Sequence, residues 1–111
     1  MQYRKYLVED EPGSKYDGYV FGEPGPHLKL EFRSNRINVA ITLYPEAGYE
    51  AKNADVLKIA KSVVSTISGG DDAVVQDVLD GKTNGEFFIN GIKASATPPS
   101  LGSTLLTFYY P

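Results

Sequence analysis

The sequence contains no cysteine. Disulfides, thiolate zinc sites and cysteine nucleophiles are excluded together. Tryptophan is also absent, and His27 is the single histidine. With one imidazole and no thiolate, a transition-metal centre would have to be built mostly of carboxylates, which suits such metals poorly. No apolar run approaches the ~18 residues of a membrane-spanning helix. The opening Met1-Gln2-Tyr3-Arg4-Lys5-Tyr6-Leu7 carries no apolar signal-peptide core. Positive charge is also scarce, with 11 Lys and Arg against 14 Asp and Glu, for a net charge of −3. Binding to phosphate backbones rests on clustered cations that release counterions, so nucleic acid is not an expected partner. The segment Gly22-Glu23-Pro24-Gly25-Pro26 lacks the Lys-Ser/Thr follow-on of a phosphate loop, and its prolines remove backbone donors.

What is present describes one domain spanning residues 1–111. The hydrophobic fraction is 41%, ordinary for a globular chain. His27 to Tyr44 holds the clearest strand pattern. Leu28, Leu30 and Phe32 alternate with polar residues, and after Ser34-Asn35 Ile37, Val39, Ile41 and Leu43 alternate with Asn38, Ala40, Thr42 and Tyr44. A two-residue turn at Ser34-Asn35 would pair Phe32 with Ile37, Leu30 with Val39 and Leu28 with Ile41, all on one face. Asn90-Gly91 predicts a second hairpin, because a type I′ turn needs φ > 0 at both central positions. It would pair Ile89 with Ile92 and Phe87 with Ala94. Tyr3–Val8, Tyr19–Phe21 and Thr104–Tyr110 read as further strands, with Pro-Gly turns at Pro12-Gly13 and Pro24-Gly25.

Between the hairpins lies the main helix, expected over 53–68. Asn53 is the expected N-cap and Gly69 the left-handed stop. Val56, Leu57, Ala60, Val63, Val64 and Ile67 share its apolar face. A second short helix is expected over 72–80, capped by Asp71 or Asp72, with a Val-rich strand as the alternative. The fold class is therefore α+β: a mostly antiparallel sheet of about six strands with the main helix packed on one face. A final strand lying at the sheet edge would be free to pair with another chain, so a homodimer through an edge strand is a further expectation.

Candidate functional residues are few. His27 is the one candidate general base, since imidazole is the commonest. No G-x-S-x-G or H-E-x-x-H pattern accompanies it, and its place in the alternation equally suits the wet face of a strand. Asp71, Asp72, Asp77 and Asp80 are candidate ligands for a hard cation, but their spacing is not that of a calcium loop, and helix capping explains the first two as well. No cofactor is implied. Tyrosine is abundant, eight residues in all. Tyr16, Tyr19, Tyr44, Tyr49, Tyr109 and Tyr110 read as loop or strand-end residues, and exposed aromatics suit contact surfaces. The expected function is a non-enzymatic binding or interaction domain, with a Tyr-rich loop end meeting a protein, peptide, glycan or other small ligand. The alternatives are a small enzyme using His27, or a structural module of a larger exported protein. The compartment is open between the cytoplasm and export from a bacterial cell.

Overall fold

The computed structural model describes residues 3–11, 14–97, 99–100 and 102–110. In chain order the elements are β1 (Tyr3–Glu11), β2 (Ser14–Phe21), β3 (His27–Phe32), β4 (Arg36–Thr42), α1 (Glu50–Ser68), α2 (Ala73–Leu79), β5 (Gly85–Ile89), β6 (Ile92–Ala96) and β7 (Ser103–Tyr109). The fold is α+β. The strands form one antiparallel sheet in the order β1-β2-β3-β4-β7-β6-β5.

Both hairpin registers follow the hydrophobic pattern. Phe32 faces Ile37, Leu30 faces Val39 and Leu28 faces Ile41, with the Arg33 N–H donating to the Arg36 carbonyl across the tight turn. Ile89 faces Ile92 and Phe87 faces Ala94. Asn90 and Gly91 both take positive φ, at 50° and 81°. The Asn90 side chain also donates to the Ser68 carbonyl at 2.6 Å, so the turn is fastened to the end of α1.

The helices cover one face of the sheet. Val56, Ala60 and Val64 of α1 and Val74, Val75 and Val78 of α2 join Leu28, Leu30, Val39, Ile41, Ala94, Leu106 and Phe108 in a single buried cluster. Fully burying each such Val or Leu contributes about 1.5–3 kcal/mol. Several residues of α1 are β-branched and weaken its intrinsic propensity, so this burial is what holds it helical. Gly69 ends the helix in the left-handed region at φ 82°. The buried Ser68 hydroxyl donates to the Asp71 carbonyl and accepts from the Asp71 N–H, joining α1 to α2.

Some expectations need correction. Helix α1 starts at Glu50, three residues early, and Asn53 does not cap it. The Asn53 amide instead clamps the backbone of Tyr44, accepting from its N–H at 3.0 Å and donating to its carbonyl at 2.8 Å. Strand β2 begins at Ser14, five residues before the expected Tyr19, so Tyr16 is a strand residue too. Asp17 and Gly18 disguise this strand by their poor β-propensity. The sheet has seven strands, close to the expected number of about six, but β7 lies inside it between β4 and β6 and not at an edge, with Thr104, Leu106, Thr107 and Phe108 all buried. The sheet edges are β1 and β5. The expected Pro12-Gly13 turn falls outside the described residues.

Asn53 fixes the route from β4 into α1 through two part-buried hydrogen bonds. Replacing it with Ala leaves the Tyr44 N–H and carbonyl without these partners. Asn53→Ala is expected to cost about 1–3 kcal/mol, read as a lowered urea midpoint with an unchanged denaturant slope.

Candidate functional site

The loop from Gly22 to Pro26 organises the concave surface at one end of the sheet. Gly25 bends it with φ 98°, a conformation that L side chains rarely adopt. Pro26 is fully buried beneath it. His27 follows as the first residue of β3. Its Nδ1 lies 2.8 Å from the Gly25 carbonyl. A carbonyl only accepts, so Nδ1 carries the proton and the neutral ring keeps Nε2 as its acceptor.

Across the loop, Arg4 of β1 reaches Glu23, with Nη2 donating to Oε2 at 2.9 Å. That hydrogen bond is the main reason the Glu23 carboxyl is held below its usual range. Tyr3, Arg4, Val20, Glu23, His27 and Tyr44, with Pro24 and Gly25, line a cleft of about 580 Å³. Val20 is buried although it lies on the face away from the helices; its cross-strand neighbours there are Arg4 and Lys29. Tyr44 meets Tyr49 edge-on at 4.9 Å. The Asn53 clamp therefore sets not only the chain path but also the position of one wall of this cleft.

His27 also lines a shallower trough of about 420 Å³ on the uncovered face, with Lys29, Ala40, Thr42, Ser103 and Leu105. The Thr42 and Ser103 hydroxyls are 3.0 Å apart. On the helix side of the loop, Lys52, Asp55, Lys58, Ile59 and Ser62 of α1 form a third concavity of about 660 Å³ with Gly22, Glu23 and Pro26.

Farther along the uncovered face, Tyr6, Gly18 and Glu31 lie in one cross-strand row. A Cβ on Gly18 would come within 2.6 Å of the Tyr6 ring. The glycine therefore lets the ring lie across β2, where its hydroxyl donates to Glu31 Oε2 at 3.0 Å. Arg33 Nη2 donates to the other carboxylate oxygen at 3.1 Å. Burial first, then the hydrogen bond and charge of Glu31, push the Tyr6 phenol from its ordinary 10.0 up to about 12. Burial lowers the Arg33 guanidinium, and the charge of Arg36 adds to that effect.

The six candidate tyrosines do not gather in one cluster. Tyr44 and Tyr49 share the cleft end. Tyr19 packs on the helix side with Tyr3 and Phe32, at 6.0 and 6.1 Å. Tyr16 lies opposite Val8 in the β1–β2 pair. Tyr109 stands on the uncovered face, its hydroxyl 3.4 Å from Ser95 and its ring beneath Lys93. Tyr110 is at the far end, its N–H donating to the Asn35 carbonyl. Of the candidate cation ligands, Asp71 Oδ1 accepts from the Ala73 N–H at the start of α2, and Asp80 accepts from Gln76. Among the described residues no three His, Cys, Asp or Glu side chains gather to hold a metal. No helix among them is long and apolar enough to cross a membrane.

Sequence reasoning missed Arg4, Glu23 and Lys29. Arg4 and Glu23 are 19 positions apart, and only the strand pairing brings them together. Compared with family models, curated proteins and solved structures, the chain finds no match in any of the three.

Because the folded state raises the Tyr6 pKa, its stabilising contribution is complete below pH 10 and disappears as pH climbs through about 12. The stability difference between the wild type and Tyr6→Phe should be constant below pH 10 and shrink above it. Gly18→Ala should displace the ring, returning the phenol toward its ordinary pKa in an ultraviolet titration and lowering stability by about 1–3 kcal/mol.

Proposed function

We propose that this chain is a non-enzymatic binding domain that holds a peptide or protein segment in the cleft between Tyr3, Arg4, Glu23, His27 and Tyr44. The observation that supports the reading is the convergence of two tyrosine rings, a charged pair and an imidazole on one concave surface. Aromatic walls supply contact area at low entropic cost, and Arg4 and Glu23 offer a charge of each sign for orientation. The site is drawn from several elements, so a ligand touching it would bridge β1, the Gly22–Pro26 loop and the β4–α1 connection. A second reading, catalysis at His27, draws support from the Gly25 carbonyl, which holds the imidazole in one tautomer as a general base requires.

Peptides selected from a random displayed library test the proposal. Bound peptides should shift the amide resonances of Glu23, Gly25, His27 and Tyr44. Tyr44→Ala or Arg4→Ala should weaken binding by about tenfold or more, and Phe88→Ala on the far edge should leave it unchanged. Peptides that map elsewhere, or that bind Tyr44→Ala as well as wild type, would contradict it. Glycan selection with the same variants decides whether carbohydrate is the better ligand. Turnover abolished by His27→Ala with binding retained would favour the enzyme.

A further inference from the structure

We propose that two copies of this chain pair through β1, antiparallel about a two-fold axis at Leu7, to make one continuous sheet. The edge strands, and not the cleft, point to this pairing. Strand β5 is a short edge of five residues. Strand β1 is nine residues long, and its outer side is unpaired in the described sheet. Natural edges are usually blunted by shortness, charge or bulges, because a row of free backbone donors and acceptors invites another strand. Strand β1 has an irregularity only at its end, between Glu9 and Glu11, which leaves the stretch up to Glu9 regular.

Charge along that stretch is sorted by sign, with Arg4 and Lys5 before Leu7 and Glu9 after it. Residues directly opposite in an antiparallel ladder share a face, and opposite charges there attract. With Leu7 facing Leu7 of the second copy, Lys5 of each chain falls opposite Glu9 of the other, and Tyr6 falls opposite Val8. Centring the axis one position either way sets Lys5 or Glu9 against Leu7 instead, so within the regular stretch that ends at Glu9 only one register sets Lys5 against an acid. In that register Lys5 would gain a second acidic neighbour beside Asp17, whose Oδ1 is already 3.4 Å from its Nζ.

The apolar residues agree. Leu7 is 63% exposed, on the helix side of the sheet with Tyr19 and Phe21, but out where the helices leave β1 uncovered. A two-fold axis at Leu7 covers each leucine with its symmetry mate. The axis runs perpendicular to the sheet, so the helices of both copies lie on the same side.

Sedimentation velocity over a concentration series reads the association of the intact chain. The wild type should dimerise reversibly. Lys5→Glu and Glu9→Lys should each weaken self-association by about tenfold, since each variant meets like charges at both symmetric positions. Mixing the two variants should restore a dimer, because every pair is then opposite in sign. Leu7→Lys, at an exposed site, should keep the folded circular dichroism spectrum and lose the dimer. A wild type that stays monomeric, a dimer indifferent to Leu7→Lys, or a mixture no tighter than the single variants would overturn the proposal.

Discussion

The centre of this fold hangs from the seam that α1 lays along the middle of the sheet. Val56, Ala60 and Val64 are fully buried, as are Leu28, Val39, Ile41 and Leu106 in the same cluster. The seam does more than bury area. Its last residue, Ser68, receives Asn90 from the β5–β6 turn and binds both backbone groups of Asp71. Its first turn contributes Asn53, which grips the strand exit at Tyr44. One helix therefore positions α2, a hairpin turn and the entry to the cleft, besides closing the core.

The same seam leaves much of the sheet uncovered. It lies over the centre and does not reach the wing made by β1 and the outer part of β2. That wing is held by means of its own. Tyr3, Tyr19, Phe21 and Phe32 pack as an aromatic group on the helix side. On the other face, Tyr6 lies over Gly18 and is tied to Glu31. A glycine in a strand usually weakens it; here the tyrosine occupies the space that a side chain would have filled. The cleft forms where wing and centre meet, with Arg4 and Tyr3 from one and His27 and Tyr44 from the other. Its shape therefore depends on how firmly the two parts are joined.

Much of the centre was legible from residue order. Period-two alternation in His27–Tyr44 and the Asn90-Gly91 turn carry their own registers, because a slip of one residue would turn the apolar side chains outward. Gly69 announced the helix stop because a left-handed residue there favours glycine. The start of α1 was not legible, since Asn53 looks like a cap locally and is used for a tertiary clamp instead. Nor was the interior place of β7, whose partners β4 and β6 are chosen by long-range packing. The cleft was legible only in His27 and Tyr44. Arg4 and Glu23 are ordinary surface charges until β1 pairs with β2, and the tyrosines carry no signal for which face or end they will reach.

Residue-resolved native hydrogen exchange on a dilute sample tests the division into a helix-covered centre and a separately held wing. Opening free energies differ between cooperative parts of one structure. The account predicts that the slowest amides lie in β3, β4 and β7 beneath α1, and that β1 and the outer part of β2 open earlier as a unit. Equal protection across all seven strands, or slowest exchange in β1, would contradict it.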